Sequence, residues 1–305
     1  SVNNFVMISI IICSIDPQKF SNITQNYTDL MGGEPFEIIG IHDAASLCEG
    51  YNRGIKKSVG EILIFSHDDI EILSPDFVAR LSAHMEQFDI VGLAGTDKVV
   101  GGGWVNAGVP HLYGQVANPG GAGYQVAFFD YGKIANQGKV TADGIKMLDG
   151  FFFAVRRSVV QQVLFDERNF DGFHGYDVDF TYSAYLAGFS LTVCNDIAVI
   201  HDSGGSFDAN FQKYKQRFAA KHRSTLEVAE PLSARPAPTF AVTECANKED
   251  VLNSFSPQAQ KQVCEQFIVI YPALIAAPAS VGFYWLKQWR RRFIQLFPRM
   301  AKRFL

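Results

Sequence analysis

Short, continuously apolar segments alternate with amphipathic segments near the start of the chain. Three of the apolar segments are rich in β-branched residues and have the length of buried strands: Phe5–Cys13, Phe36–Ile41 and Glu61–Phe65. Between the last two lies SLCEGYNRGIKKSVG, whose apolar residues recur in steps of four before Gly60, as in an amphipathic helix with a terminal glycine. Continuous apolar strands joined by helices predict a mostly parallel α/β sheet that is covered on both faces.

The next part of the chain continues this alternation and then breaks it. Ser74, Pro75 and Asp76 predict a helix start, with the helix running to about Gln87 and a further strand at Ile90–Leu93. Residues 95–139 are rich in Gly and Asn and show no sustained period. We expect them to form a long surface loop, a type of segment that often binds ligands.

The last third of the chain divides into two parts. A helix over Asp177–Ala187 that ends at Gly188, two short strands (LTVCN and IAVIH) and a helix marked by Phe and Tyr at steps of three or four complete the first part. Three prolines then mark a linker. We therefore predict a catalytic-type α/β domain over 1–229, a Pro-rich linker over 230–240, and a helical C-terminal section over 241–305 with a basic amphipathic tail.

Composition restricts the class of protein. Apolar residues make up 48% of the 305 residues and charged residues 19%, which excludes a disordered or fibrous chain. The net charge of −4 gives no argument for a nucleic-acid partner. Five scattered cysteines without a CxxC pair predict reduced thiols in a cytoplasmic protein rather than a disulfide framework or a zinc site. Residues 1–12 lack the charged region and cleavage site of a signal peptide.

The C-terminal tail has the pattern of a membrane-surface segment. Phe267–Leu286 carries no charge over twenty residues, long enough to span a bilayer, although two prolines favour a buried or interfacial hairpin. Lys287–Leu305 then holds seven Lys/Arg and no acids, interleaved with aromatic residues, so the rest of the chain carries −4 − 7 = −11. This pattern predicts contact of residues 267–305 with an anionic membrane surface. The alternative is a helix packed on the catalytic domain with a solvated basic face.

Acidic and imidazole groups follow two of the predicted strands. His42 and Asp43 come after the second strand, and His67, Asp68 and Asp69 come after the third. Because the carboxyl ends of parallel strands meet at one edge of a sheet, these groups should lie together, where ligands bind in open α/β sheets. Carboxylates at such an edge repel each other unless a cation lies among them, and a divalent metal that neutralises a diphosphate would explain the arrangement. The alternative is a simple cap or turn.

These motifs resemble the core of a family-two glycosyltransferase. The chain has an Asn-x-Gly helix at Tyr51–Ile55, then GEILIF at Gly60–Phe65, then His67-Asp68-Asp69, where that family has Asn-x-Gly, Gly-Glu-Tyr-Ile and an Asp-x-Asp metal motif. His67 stands where the first aspartate usually stands, a form typical of one branch. The resemblance covers about residues 5–205. It implies a GT-A (nucleotide-diphospho-sugar transferase) fold with a mostly parallel central sheet, followed here by a C-terminal helical extension.

A second segment, Phe165–Phe189, resembles the acceptor side of these enzymes, where an acidic pair opens a helix. Asp177 falls at the position of the catalytic base, and Tyr176 replaces the usual glutamate before it. Asp179 is the rival base, but two residues on a helix turn a side chain by about 200°, so both cannot face one hydroxyl. The helix start should favour the ionised form of Asp177. His201 ends a strand, as does the late histidine that completes the metal shell in many such enzymes.

The resemblance assigns further roles. It implies a Mn²⁺ or Mg²⁺ site at Asp69 and His201, with His67 in or near the shell; imidazole ligands favour manganese. The donor-binding residues it implies are Cys13, Ser14, Asp43, Asn52 and Asp68. The acceptor-binding residues it implies are Trp104, Asp149, Gly150, His174 and Asp179. Structural roles remain as alternatives: a hydrogen-bonded strand end for His201, packing at the helix entry for His174 and Tyr176, a helix cap for His42 and Asp43, and a small strand-end residue for Cys13.

The function implied is a metal-dependent glycosyltransferase of the hexosyltransferase type. It would move a sugar from a nucleotide-diphosphate sugar, with UDP favoured, to a glycan or lipid-linked acceptor hydroxyl with inversion, in cell-surface polysaccharide or glycolipid synthesis at the inner face of the membrane. A sugar-phosphate nucleotidyltransferase is one alternative, but the CSIDPQKF segment lacks the Gly-rich loop of those enzymes. A non-catalytic sugar-binding scaffold is another, although it should have lost an acidic role, and Asp69 and Asp177 are both present.

Overall fold

A computed structural model describes residues 6–203, 209–229 and 240–267. This part of the chain contains thirteen strands: β1 (Ile8–Cys13), β2 (Phe36–Ile41), β3 (Ile62–Ser66), β4 (Ile70–Ile72), β5 (Ile90–Gly92), β6 (Ala94–Thr96), β7 (Leu112–Gly120), β8 (Gly123–Phe128), β9 (Met147–Leu148), β10 (Phe152–Arg156), β11 (Leu191–Val193), β12 (Val199–His201) and β13 (Ala241–Cys245). Its helices are α1 (Pro17–Met31), α2 (Leu47–Lys57), α3 (Phe77–Gln87), α4 (Lys133–Asn136), α5 (Arg157–Val160), α6 (Tyr176–Leu186), α7 (Ala209–Lys221), α8 (Lys248–Ser254) and α9 (Pro257–Phe267), with a 3₁₀ turn at Trp104–Ala107.

The first sheet has six strands in the order β11-β5-β10-β3-β1-β2. β1 runs parallel to β2 and β3, and β11 runs parallel to β5, whereas β10 is antiparallel to both of its neighbours. The interior of β1, Ile10–Ile12, is completely buried, as expected for a strand covered on both faces. The predicted mostly parallel sheet is therefore confirmed, with one antiparallel strand inserted.

The second sheet includes two strands, β7 and β8, from the 95–139 segment that was predicted to be a loop. Its strands follow the order β13-β8-β7-β12-β4, and β6 extends it through pairs with β7 and β9. β7 and β8 form a hairpin closed by Gly121 and Ala122, with Gly121 at a φ of 60° typical of such turns. The prediction of a long surface loop over 95–139 is wrong. Because β7 and β8 contain glycine and polar residues, their sequences do not show the apolar alternation typical of strands. Their partners become evident only in the fold.

Two helix starts differ from the prediction. The sequence analysis did not identify α1, although Asp16 accepts hydrogen bonds from the amides of Gln18 and Lys19 and Pro17 occupies the first helical position. α3 begins at Phe77 with Asp76 as its N-cap, two residues later than the predicted start at Pro75 after Ser74. The Ser74 hydroxyl instead accepts a hydrogen bond from the Ala198 amide at 2.8 Å, which connects the segment before α3 to the residue directly before β12.

The predicted terminal glycine of α2 is also wrong. The helix ends at Lys57, and the extended Ser58 donates its amide to the carbonyls of Gly54 and Ile55. Gly60 lies beyond the helix, where a Cβ would come 2.6 Å from the Ser9 amide. Its role is therefore close approach to β1 rather than helix termination.

The C-terminal section returns to the second sheet. β13 pairs antiparallel with β8, so the section beyond residue 240, predicted to be helical, contributes a strand as well as α8 and α9. Buried Gln260 in α9 donates to the Gln115 side chain at 2.7 Å and to the Asn195 carbonyl at 2.6 Å. No helix in the described residues is both long enough and apolar enough to cross a membrane. Residues 230–239 of the predicted 230–240 linker and the tail from 268 to 305 lie outside the described residues, and the division into domains stays a prediction.

Candidate active site

Two strand ends from different sheets meet at a cluster of three ligand-type side chains. His67 and Asp69 follow β3, and His201 is the last residue of β12. β12 pairs with β4 so that His201 lies opposite Ile70, and the Asp202 amide donates to the Asp69 carbonyl at 2.8 Å. The Asp69 Oδ1 atom lies 3.3 Å from Nε2 of His201 and 3.7 Å from Nδ1 of His67.

Two polar atoms of this cluster have no hydrogen-bond partner of normal geometry in the described part of the chain. Asp69 Oδ1 and His201 Nε2 are both buried and have no well-aligned hydrogen bond within the described residues. Such buried polar atoms are rare in proteins and often face an ion. One ligand atom from each of the three side chains lies within 4.8 Å of the others. A carboxylate and two imidazoles in this arrangement are a donor set that a divalent transition metal ion can occupy.

The electrostatics of the cluster favour the forms that bind a metal. Burial raises the pKa of Asp69, but the neighbouring His201, His67 and Lys19 outweigh it and hold the pKa below its ordinary value. Burial lowers the pKa of His67, and His201 lowers it further. The carboxylate is therefore ionised and the His67 imidazole is neutral near pH 7, as metal ligands must be.

A tyrosine lies directly behind His67. Tyr176, the first residue of α6, places its Oη atom 2.7 Å from His67 Nε2 and donates to the Gly150 carbonyl at 3.1 Å. A Cβ on Gly150 would come 2.2 Å from this oxygen, so only glycine leaves room for the contact. On the other side of the cluster, the His201 ring stacks on Phe151 with centroids 5.0 Å apart.

A cavity of about 310 Å³ opens beside the cluster. Its polar lining includes Asp149, Asp177 and His201, and Trp104 forms part of its wall. Its apolar lining comprises Trp104, Val105, Val116, Phe129, Phe151, Val178, Phe211 and Phe240. Because most of the wall is apolar, charged groups at its base are poorly solvated and their interactions are strong.

Asp177 occupies the first turn of α6 beside this cavity. Burial, reinforced by the charge of Asp149, raises the pKa of Asp177 to about 7 from 3.8. The backbone amides of Val178, Asp177 and Gly150 act in the opposite direction and are outweighed. The expectation that the helix start keeps this carboxyl readily ionised is therefore wrong. A carboxyl with a pKa near 7 is well suited to accept a proton at neutral pH.

Asp149 and Trp104 form a hydrogen-bonded wall of the same cavity. Asp149 Oδ2 accepts from Trp104 Nε1 at 2.6 Å, and its Oδ1 accepts from the Phe151 amide at 3.1 Å. Both carboxylate oxygens are thus engaged. The structure thus brings Trp104 and Asp149, two of the predicted acceptor-binding residues, to the same cavity as Asp177, the predicted base.

Comparison with known proteins decides the family. Residues 9–222, more than two thirds of the chain, match the profile of the glycosyltransferase-like family. The chain belongs to this family. It is a glycosyltransferase, and the family match together with the α/β architecture confirms the resemblance and the predicted GT-A fold. A search of curated protein sequences gave no match.

Several solved structures are similar to this glycosyltransferase. A mannosyltransferase from Pyrobaculum calidifontis, solved with GDP-Man and Mn²⁺, is 10% identical, with 98% of this chain and 83% of that chain covered and a TM-score of 0.46. GalNAc-T7, solved with UDP, GalNAc and Mn²⁺, is 14% identical over 66% of this chain, with a TM-score of 0.43, and the match spans 44% of the GalNAc-T7 chain. TarS 1-349 from S. aureus is 13% identical, with 72% of each chain covered and a TM-score of 0.41.

Asp179 does not line the cavity of this glycosyltransferase. Its two carboxylate oxygens bond to His222 Nε2 at 2.7 Å and to Lys221 Nζ at 2.8 Å, and the side chain is almost fully buried. The contacts join α6 to the end of α7. The structure therefore places Asp179 outside the predicted acceptor group. His174 lies nearby, with its ring against Phe211, which itself lines the cavity.

The predicted donor-binding residues lie in different environments. Ser14 donates to Asp68 Oδ2 at 2.6 Å, so this pair lies next to the cluster. Asp43 is largely exposed and forms an ion pair with Arg53 at 2.9 Å. Cys13 ends β1, and burial raises its pKa to about 12, which excludes a thiolate role at neutral pH.

Asn52 has a different role from the predicted one. Its side chain is buried and bonds to both the carbonyl and the amide of Phe165, at 2.8 and 3.0 Å, and to Glu167 at 2.7 Å. All these contacts brace the chain before α6. Asn52 therefore supports the segment that carries Asp177 instead of lining a nucleoside pocket.

A second group of residues that could hold a metal ion comprises His84, Cys194 and Asp196, but its imidazole and carboxylate are already hydrogen-bonded to each other. His84 Nε2 lies 2.8 and 3.0 Å from the two oxygens of Asp196, so the imidazole donates to the carboxylate. Burial holds the pKa of neighbouring Cys194 well above its ordinary value. This group connects α3 with the segment after β11, and its paired atoms contrast with the unpaired ones at Asp69 and His201.

Sequence reasoning missed the contact between Tyr176 and His67. The sequence indicates for Tyr176 only the replacement of a glutamate or packing at the helix entry, because nothing in it shows that the hydroxyl reaches a side chain 109 residues away. The stacking of His201 on Phe151 and the approach of Lys19 to Asp69, at 3.8 Å, were missed for the same reason.

Proposed function

We propose that this glycosyltransferase moves a hexosyl group from a nucleotide-diphosphate sugar to an acceptor hydroxyl, with a divalent cation held by His67, Asp69 and His201. One observation carries the proposal: a metal-suited cluster with two unpaired buried atoms borders the cavity that contains Asp177. The two imidazoles favour Mn²⁺ over Mg²⁺, which prefers oxygen ligands and water.

The chain's own groups divide the chemistry between two sides of the cavity. A bound cation would neutralise the diphosphate as it leaves. Asp177, with its pKa near 7, accepts the proton of the acceptor hydroxyl as that oxygen attacks the anomeric carbon. His201 and Asp177 both line the cavity, so the leaving group and the base can lie on opposite sides of the sugar. This arrangement supports transfer with inversion.

The donor is proposed to enter beside Ser14 and Asp68. Their 2.6 Å hydrogen bond holds the Asp68 carboxylate next to the metal cluster, where it can accept from hydroxyls of the ribose or the sugar. Asp43 lies exposed after β2, with its carboxylate accessible to a nucleotide base. UDP-sugars are the first donors to test, followed by GDP-sugars.

Two other functions fit a nucleotide and a metal on such a sheet. A sugar-phosphate nucleotidyltransferase grips a triphosphate with a Gly-rich loop after the first strand, but here α1 begins at Pro17, only four residues after β1. A sugar-binding scaffold has no use for a half-buried carboxyl with a pKa near 7. Both observations, together with the family, favour transfer.

One experiment separates the three functions. The full chain is incubated with Mn²⁺ and a panel of UDP- and GDP-sugars, and release of the nucleoside diphosphate is measured. Release that depends on Mn²⁺ is expected. Pyrophosphate formation from a nucleoside triphosphate and a sugar phosphate would instead indicate a nucleotidyltransferase. Donor binding in a thermal-shift assay without any turnover would indicate a scaffold.

Residues 267–305 are proposed to hold the enzyme at an anionic membrane surface, which would suit a lipid-linked acceptor in cell-surface polysaccharide or glycolipid synthesis. The support is the sequence pattern, with seven Lys/Arg and no acids between Lys287 and Leu305. Co-sedimentation with anionic vesicles is compared for the full chain and a chain that ends at Phe267. This end point retains α9, which packs on the enzyme. Equal binding of the two chains would contradict the proposal.

A further inference from the structure

The hydrogen bonds around Tyr176 determine which nitrogen of His67 carries a proton. A carbonyl oxygen only accepts, so the 3.1 Å contact with Gly150 uses the single hydroxyl proton of Tyr176. Oη must then accept in its 2.7 Å contact with His67 Nε2. His67 Nε2 therefore carries the ring proton, and in the neutral imidazole the lone pair is on Nδ1.

This lone pair is the one that the cluster requires. Nδ1 is the His67 atom that faces the cluster, 3.7 Å from Asp69 Oδ1, and a metal binds the ring nitrogen that has no proton. If Nε2 lost its proton to Nδ1, the ring would instead donate toward Asp69 and could not act as a ligand from this position. The choice of tautomer thus decides whether His67 is a ligand.

Tyr176 has little freedom to leave this position. The residue is 4% exposed, and its ring packs on Tyr51 and Phe165 with centroids 5.6 and 6.4 Å away. Its backbone follows Gly175, which adopts a left-handed φ of 79° to start α6. A buried hydroxyl fixed at both its backbone and its ring is well suited to impose one tautomer on a neighbour.

We propose that Tyr176 is a positioning residue that holds His67 as the Nε2–H tautomer and so presents Nδ1 to the catalytic cation. The inference rests on the metal site in the proposed function. It also gives the substitution of the usual glutamate a physical role. Because Tyr176 directly precedes Asp177, one residue orients the metal ligand and begins the turn that carries the base.

The first test uses the wild-type protein alone. In metal-free full-length chain labelled with ¹⁵N-histidine, the nitrogen shifts and couplings of His67 at pH 8 report which ring nitrogen carries the proton. The Nε2–H tautomer is expected. A predominant Nδ1–H tautomer would overturn the proposal, whether or not Mn²⁺ binds at the proposed metal site.

The second test removes the hydroxyl. Tyr176→Phe should weaken Mn²⁺ binding by about 10-fold or more, the usual effect of losing a group that orients a metal ligand, and should increase the Nδ1–H population of His67. Tyr51→Phe is the matched control, since Tyr51 is also buried and touches Tyr176, and its hydroxyl, within the described residues, donates only to the Ser66 carbonyl, at 3.4 Å. It should leave Mn²⁺ affinity and the His67 tautomer unchanged.

The outcomes separate this inference from the proposed function. Calorimetry or the Mn²⁺ spin-resonance signal gives the affinity without any turnover. Unchanged tautomer and affinity within twofold in Tyr176→Phe would reject the positioning role while leaving the metal site intact. No Mn²⁺ binding by the wild-type chain would reject the metal site, and the tautomer measurement would still decide what Tyr176 does to His67.

Discussion

Asp177 and Asp179 lie two residues apart on α6, and their carboxylates have opposite surroundings. Asp177 lines the cavity beside the metal cluster, whereas Asp179 is buried between His222 and Lys221 on the far side of the helix. The separation follows from the rotation of about 100° per residue along an α-helix. Of these two carboxylates, only that of Asp177 lines the cavity.

Replacement of each carboxylate should therefore have a different effect. Asp177→Asn is expected to reduce transfer by roughly 10²–10⁴-fold, the usual contribution of a general base, while Mn²⁺-dependent donor binding is retained. Asp179→Asn should act on stability, lowering the free energy of unfolding by about 1–3 kcal/mol because His222 and Lys221 lose a buried partner. Transfer rates, donor affinity and urea midpoints of both variants check this. Full transfer activity in Asp177→Asn would falsify the assignment of the base.

The pH dependence of transfer should show the raised pKa of Asp177. The base acts only when ionised, so kcat/KM should fall as pH decreases through about 7 in the absence of other changes, and bound cation would move this limb to lower pH. The charge of Asp149 helps to raise this pKa, so Asp149→Asn should shift the limb downward. A pH profile of each protein at saturating Mn²⁺ is the measurement. A limb that stays in place in Asp149→Asn would contradict the coupling between the two carboxyls.

The same carboxyl should make the enzyme less stable above neutral pH. Its folded pKa, about 7, lies above the ordinary 3.8, so the folded state holds an extra proton between these values. The corresponding stability is fully present below about pH 4 and is lost as pH rises to 7. Asp177→Asn removes the ionisable group and therefore also this loss of stability with rising pH. Its melting temperature relative to wild type should thus be higher at pH 8 than at pH 4, by a few degrees. An equal difference at both pH values would show that the ionised carboxylate is not destabilising.

Metal binding should depend on both unpaired atoms of the cluster. Asp69→Ala and His201→Ala are each expected to weaken Mn²⁺ binding by at least about 10-fold, because each removes a ligand from a three-residue set. Asp202→Asn is the control, because it removes a negative charge beside the cluster while the hydrogen bond from the residue 202 amide to the Asp69 carbonyl can remain. Calorimetric titration with Mn²⁺ gives the affinities. Retention of full affinity in both alanine variants would place the metal elsewhere.

The small space at Gly150 predicts a combined defect. A methyl group there would come 2.2 Å from Tyr176 Oη and 2.7 Å from Asp177 Cβ, so both side chains must move. Gly150→Ala should thus lose transfer and also weaken Mn²⁺ binding, although residue 150 contacts neither the substrate nor the metal through a side chain. Gly101→Ala is the control, because its nearest atom is the flexible Asn106 amide at 3.3 Å. Normal Mn²⁺ affinity in Gly150→Ala would show that Tyr176 can move without consequence.

The helices and strands that could be predicted are those whose apolar pattern is complete within a short stretch of sequence. Residues 36–41 and 62–65 were predictable as strands because all their positions except Glu37 are apolar or glycine, and the metal cluster was predictable because Asp69 follows a strand and His201 ends one. The hairpin of β7 and β8 was missed, since its strands contain glycine, proline and polar residues that gain their partners only in the fold. The true role of Asn52 and the His67–Tyr176 contact depend on distances between remote segments, which local patterns do not contain.

The cation site is distributed over two sheets, and this has a consequence for folding. His201 reaches Asp69 only after β12 has paired with β4, a contact between segments more than 120 residues apart in the chain. Such distant pairings form late, because the loop-closure entropy must be overcome before the contact is gained. A chain that has completed only its first sheet therefore has no place for Mn²⁺. During refolding, capture of the ion should lag behind the recovery of secondary structure and mark the moment at which the two sheets join.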